Sequence, residues 1–218
     1  MKVIIRLRPP RKRSVVRTTI AAAALLLAGG GAYYFIASAS ASSAPQRAEK
    51  QYQLGMELIK PGTYPQAIAH FGNAIAVQPE YAEAYLQRGI VHQIVGESEA
   101  ALADLDHALA LDPALAQAQS ARGKILRDQG NIQGAIEAMT ASIKIKPTMD
   151  AYYQRGLTYE ALGQHQKAID DYDQAIDLMS NAPYVYRSRA LAKHNLGDLK
   201  GEEADRALAN ERDHDPIH

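Results

Sequence analysis

The chain has 218 residues, 24 basic and 24 acidic side chains and no cysteine, enough for one or two ordinary domains and with no means of forming disulfides or thiolate zinc sites. Its neutral total hides an asymmetry: seven basic residues (Lys2, Arg6, Arg8, Arg11, Lys12, Arg13 and Arg17) precede residue 18, while the first acid is Glu49. The remaining 17 basic residues face 24 acids, a net of −7, which argues against nucleic acid as a partner.

The first elements are an arm and an apolar run. Residues 1–17 form a basic arm, and residues 18–37, TTIAAAALLLAGGGAYYFIA, contain 20 residues without a charge, about the length of a membrane-spanning helix. Positive charge on the amino side keeps that side in the cytoplasm, so the expectation is a single-pass anchor with everything downstream exported to a bacterial periplasm. Tyr33, Tyr34 and Phe35 stand near the far end of the run, where amphipathic rings favour the membrane interface. A cleaved signal sequence is the alternative, because Ala37, Ala39 and Ala41 offer A-x-A cleavage sites and cleavage near Ala39 or Ala41 would release a soluble periplasmic protein. An organelle transit peptide is a third reading. Residues 38–47, small and polar with Pro45, are expected to be a flexible tether.

Repetition organises everything that follows. Gly55, Gly89, Gly123, Gly156 and Ala190 recur at 33 or 34 residues, as do Gly62, Gly96, Gly130, Gly163 and Gly197. Apolar residues inside each copy fall at helical three- and four-residue spacing, with the second glycine in a turn. The spacing predicts five helical hairpins: 48–81, 82–115, 116–148, 149–182 and an atypical, capping fifth at 183–218 with the C-terminal tail. In the second copy, helix A precedes Gly96 and helix B runs from Ser98 to Leu111, stopping before Asp112-Pro113. Ser98 is the expected N-cap.

These residues resemble the tetratricopeptide repeat. Its pattern is matched in the second copy by Tyr85, Gly89, His92, Ala101, Leu105, Ala108 and Pro113, and in the fourth by Tyr152, Gly156, Tyr159, Ala168, Tyr172 and Ala175. The resemblance implies an all-α fold, a right-handed superhelical solenoid of about five helix-turn-helix repeats, here preceded by one hydrophobic N-terminal helix. The fifth copy carries Glu202 and Arg206 at core positions of its second helix, as a polar terminal cap would.

Position 7 of the repeat is Arg88, Arg122, Arg155 and Arg189 in four copies, and sixteen residues later come Asp104, Ala138, Asp171 and Asp205. The covariation predicts three ion pairs, Arg88 with Asp104, Arg155 with Asp171 and Arg189 with Asp205, each bracing helix A to helix B through a guanidinium fork.

No catalytic constellation emerges and no cofactor is expected. The seven histidines never take the H-E-x-x-H spacing, and His92 occupies a packed slot. The resemblance instead implies a concave groove lined by helix A, taking a peptide or helix of a partner protein. Its inward positions give Tyr52, Met56 and Ile59 in the first copy and Leu86, Ile90 and Ile94 in the second. Lys124 with Arg127 and Asp128 forms a polar interruption in the third, followed by Tyr153 and Leu157 in the fourth and Tyr184, Arg187 and His194 in the fifth. Tyr52 and Met56 stand where a receptor for acidic C-terminal tails would need lysine and asparagine. The expected function is therefore a non-catalytic, membrane-tethered scaffold that assembles or maintains an envelope complex, either by recognising a partner or as its permanent subunit.

Overall fold

A computed structural model describes residues 43–214. The basic arm, the apolar run 18–37 and the tether up to residue 42 lie outside the described residues, as does the tail 215–218. Among the described residues ten α-helices follow one another: α1 Ala44–Glu57, α2 Tyr64–Val77, α3 Ala82–Ile94, α4 Ser98–Leu111, α5 Ala116–Asp128, α6 Ile132–Ile145, α7 Met149–Ala161, α8 His165–Leu178, α9 Pro183–Asn195 and α10 Leu199–His214. Odd-numbered helices are the A helices of five hairpins and even-numbered ones the B helices. Among the described residues no helix is long and apolar enough to cross a membrane.

The first helix corrects the expected tether, whose residues 44–47 are already helical. The reason is local. Ser43 N–H donates to Gln46 Oε1 at 2.9 Å, and Pro45 lies in the first turn, where its missing N–H is an orphan in any case.

Each hairpin turns on its second glycine. Gly62, Gly96, Gly130, Gly163 and Gly197 all have φ between 69° and 89°, a left-handed conformation that costs a side-chain-bearing residue about 1–2 kcal/mol. Beyond Gly96 the Glu97 N–H donates to the His92 carbonyl at 2.9 Å, and the same closure joins Asn131 to Leu126, Gln164 to Tyr159 and Asp198 to Lys193 at 2.8–2.9 Å. These bonds cap the orphan carbonyls of helix A and turn the chain directly into helix B.

Within a hairpin, the small residue of helix A receives a large residue of helix B. Phe71, Leu105, Met139 and Tyr172 are all fully buried. They lie against Gly55, Gly89, Gly123 and Gly156, where an added Cβ would stand 2.6–3.1 Å from their atoms. In the fifth copy the large residue is Arg206, which turns outward, and the partner position carries Ala190.

Successive hairpins stack through a series of hydrophobic clusters. One cluster joins Leu86 and Leu105 to Ala118 and Ile125 of the next copy, and another joins Tyr172 and Ala175 to Val185 and Ala192. The two ends are closed by polar side chains. Positions 3 and 10 of the A helices, sealed against the preceding copy as Ala84 and Val91, Ala118 and Ile125, Ala151 and Thr158, and Val185 and Ala192, become exposed Lys50 and Glu57 in α1. At the far end, exposed Glu203 and Asn210 replace Ile169 and Ile176 of the preceding copy. A polar outer face is what a terminal unit of a stacked array requires.

Candidate partner-binding groove

Besides helices adjacent in sequence, α3 touches α5, α5 touches α7 and α7 touches α9, each at a few points, whereas no pair of B helices touches to the same degree; α1 reaches the start of α3 through Glu49 and Tyr52 at Tyr81. The A helices thus form the inner row of the curved stack.

The position-7 arginines hold this row to the outer one. Arg88 Nε and Nη2 donate to the two oxygens of Asp104, each at 2.7 Å. Arg155 does the same to Asp171 at 2.8 and 2.7 Å, and Arg189 to Asp205 at 2.8 and 2.5 Å. A second set of bonds reaches back to the previous copy: Arg122 to Asp106 at 2.8 Å, Arg155 to Thr140 at 3.0 Å and Arg189 to Asp173 at 2.5 Å. Each of these pairs helix A with the B helix of the preceding hairpin, so the arginines set the stacking between copies as well as the hairpin itself. Arg122, facing Ala138, keeps only the backward bond.

The aspartates differ in their balance of charges. Burial and the neighbouring Asp170 push Asp171 above the usual carboxylate range against the pull of Arg155. Burial opposes Asp205 too, but hydrogen bonds from Arg189 and Lys193 together bring it below that range. Arg88, Arg155 and Arg189 also lie over the rings of Tyr85, Tyr152 and Tyr186 at 5.4–5.7 Å.

The inward positions divide into three zones. On α1 and α3, Met56 is 38% and Ile94 50% exposed, with Tyr52, Ile59 and Ile90 half-buried beside them. Leu86 is a correction: it is only 4% exposed and packs with Leu105 and Ile125, because its position lies deep between neighbouring A helices. It belongs to the core and offers a partner almost no surface.

On α5 the charges are engaged internally. Lys124 Nζ lies 2.9 Å from Asp150 Oδ2 across to α7, and Arg127 donates to Gln154 Oε1 at 2.7 Å and pairs with Asp128 at 3.1 Å. The third zone is aromatic. Tyr153 lies edge-on to Tyr184, with centroids 5.0 Å apart, Leu157 is half-buried, and Tyr184 and Leu191 are exposed. Arg187 is held by Asp213 and His194 by Glu202 at 2.7 Å. Sequence reasoning missed Leu191 and the Asp150–Gln154 side of the polar zone, although the repeat register contained the signal for Leu191, which occupies the position of Met56 and Ile90.

His92 is 13% exposed at its side chain, with Nδ1 2.5 Å from Glu97 Oε2, a packed histidine tied to the hairpin turn. Behind the aromatic zone the Tyr172 hydroxyl is buried without a hydrogen bond of ordinary geometry; burial pushes its pKa up, and the nearby Ser188 offsets this only in small part. An unsatisfied buried hydroxyl costs about 1–3 kcal/mol, and Phe71 fills the same slot in the first copy. Tyr172→Phe should therefore raise the melting temperature by about 2–4 °C for each kcal/mol recovered, as read by circular dichroism.

Three family models match the chain: one described as TPR repeat at residues 55–96 and two described as tetratricopeptide repeat at 86–150 and 150–181. Residues 55–181 therefore consist of tetratricopeptide repeats. Among solved structures, a crystal structure of MamA protein is 25% identical over 77% of this chain and 92% of its own, with a TM-score of 0.68. MamA from Desulfovibrio magneticus RS-1 is 21% identical over 78% of this chain and 98% of its own, with a TM-score of 0.70. The PilF protein of Pseudomonas aeruginosa is 18% identical over 80% and 79%, with a TM-score of 0.72. The likenesses below 25% identity show the fold. No curated protein sequence matches the chain.

Proposed function

We propose that this protein is a non-catalytic interaction scaffold whose inner face holds a peptide or helix of a partner protein, with residues 18–37 anchoring it in a bacterial membrane and the repeats on the periplasmic side. The observation that carries the binding reading is the place of exposed apolar side chains on the inner row, Met56 and Ile94 toward one end and Tyr184 and Leu191 toward the other; the remaining exposed apolar residues, such as Leu111, Leu162 and Leu178, stand at helix ends and turns. Apolar surface left exposed on a concave face is a mark of interaction sites. A role in assembling or maintaining an envelope complex follows from combining an export-directing leader with a binding groove.

Two measurements test the two halves. The full chain should remain in the membrane fraction after alkaline extraction and leave it when residues 18–37 are deleted; a full chain recovered as a shorter soluble species would support signal cleavage instead. Met56→Glu with Ile94→Glu should abolish capture of the partner from crosslinked membranes while leaving the helical circular dichroism spectrum unchanged. Undiminished capture would remove the groove assignment.

A further inference from the structure

The first groove zone has a polarity that the others lack. The A helices run in the same direction, so equivalent positions of α1 and α3 lie level with each other. Position 2 is Glu49 in α1 and Glu83 in α3; positions 5, 9 and 12 supply Tyr52, Met56 and Ile59 from the first copy, and positions 9 and 13 supply Ile90 and Ile94 from the second, the other inward places being the buried Leu86 and the polar Gln93 and Lys60. The acids thus stand at one end of an apolar strip and Ile94 at the other, eleven residues or about 16 Å away along the helix. Neither copy carries a lysine or arginine at positions 2, 5, 6, 9 or 12, and at position 13, the end remote from the acids, the first copy has the exposed Lys60 where the second has Ile94.

The acidic end is built from rings as well as carboxylates. Tyr52 and Tyr81 have their centroids 5.2 Å apart. The Tyr81 hydroxyl donates to Glu49 Oε2 at 2.5 Å, and Glu49, Tyr81, Gln78, Gln46 and Pro45 line a shallow, open depression. Hydrogen bonds from Gln53 and Tyr81 hold Glu49 below the usual carboxylate range. The Tyr52 phenol is pushed up first by burial and then by Glu83 and Glu49, placing its ring in the field of both carboxylates. Glu83 is exposed. Aromatic faces beside carboxylates attract a cation by two additive effects, ring quadrupole and direct charge.

We propose that the α1–α3 zone receives a partner segment that carries apolar anchors over Met56, Ile90 and Ile94 and a lysine or arginine, about two to three helical turns away, at the Glu49–Glu83–Tyr52–Tyr81 end. This specifies the partner's chemistry and rests on the binding role proposed for the inner face. The second zone takes no part, because Lys124 and Arg127 are already satisfied by Asp150, Asp128 and Gln154.

The test uses the full-length chain and two fluorescent twelve-residue amphipathic peptides of identical leucine pattern, one with lysine and one with glutamate at the end remote from the anchors. In fluorescence anisotropy the lysine peptide should bind about tenfold tighter than the glutamate peptide at low salt, a difference that shrinks at high ionic strength. Glu83→Gln should narrow the preference several-fold without altering the helical spectrum, and Ile94→Glu should weaken both peptides. Equal binding of the two peptides, with both lost in Ile94→Glu, would overturn the charge preference and leave the groove reading intact. Binding that survives Ile94→Glu would overturn both. A zone already occupied by a second copy would leave both peptides unbound and overturn the proposal.

Discussion

Arg155→Ala should destabilise the fourth hairpin by about 3 kcal/mol, the lower end of what is lost when one partner of a buried ion pair is removed. The Asp171 side chain is 6% exposed and receives two charge-assisted bonds from Arg155 alone. Without them its carboxylate faces burial and Asp170 with nothing in compensation. Arg155 also holds Thr140 of the preceding hairpin at 3.0 Å and lies over Tyr152 and Tyr159, so interlocking of the third and fourth copies weakens too. For a chain of this size the loss amounts to a fall of about 6–12 °C in melting temperature. The defect should ease in acid: a carboxyl whose folded pKa lies above its unfolded value stabilises the fold below the unfolded value and loses that contribution as pH rises through the folded one. Arg155→Ala with Asp171→Ala should recover most of the loss. Arg122→Ala is the control, because Arg122 meets only the exposed Asp106 and such a pair is worth less than about 1 kcal/mol. Equal losses at Arg122 and Arg155 would show that the second, buried carboxylate is not the source.

Gly156→Ala should destabilise although alanine is the better helix former. The new Cβ would stand 2.6 Å from Tyr172 Cε1 and 2.9 Å from Cδ1, and that ring is fully buried. Overpacking of a rigid ring costs about 1–3 kcal/mol, against a gain of about 1 kcal/mol in helix propensity. The position therefore loses stability, and Gly156→Ala with Tyr172→Leu should regain it. At the equivalent place in the fifth copy the sign reverses: Arg206 has left the interface, and Ala190→Gly should cost about 1 kcal/mol from propensity alone. A stabilised Gly156→Ala would refute the close packing of helix A on helix B.

The repeat was legible because its period imposes the same residue types at the same contacts. Gly55 through Gly156 mark where a ring or long side chain of helix B enters, and Gly62 through Gly197 mark where the backbone takes a positive φ. What lay outside the period was harder to read. The first turn of α1 follows from Ser43, Pro45 and Gln46, a local capping signal inside a stretch whose composition suggested a tether. Ser98 begins α4 and Glu97 takes the N-cap place, because the glycine turn is tight enough to restart the helix after one residue. The Arg–Asp spacing of sixteen was read forward within a copy, while Arg122–Asp106 and Arg189–Asp173 use the same spacing backward, across the stack. Leu86 shows the limit of carrying register into function: position 5 lies on the inner row, yet a leucine there sinks between helices, whereas Met56 and Ile94 at positions 9 and 13 reach solvent.

The central claim is that partners meet the inner row of A helices. Its most direct test is site-specific photocrosslinking in intact cells, with a photoreactive residue placed at Met56, Ile94 or Leu191 on the A helices and, for comparison, at the exposed Ala103, Glu137 and Asp170 on the B helices. The account predicts one discrete adduct from the first set, absent from the second and lost when Met56 and Ile94 are replaced by glutamate. Adducts arising from the B helices, with none from Met56, Ile94 or Leu191, would contradict it.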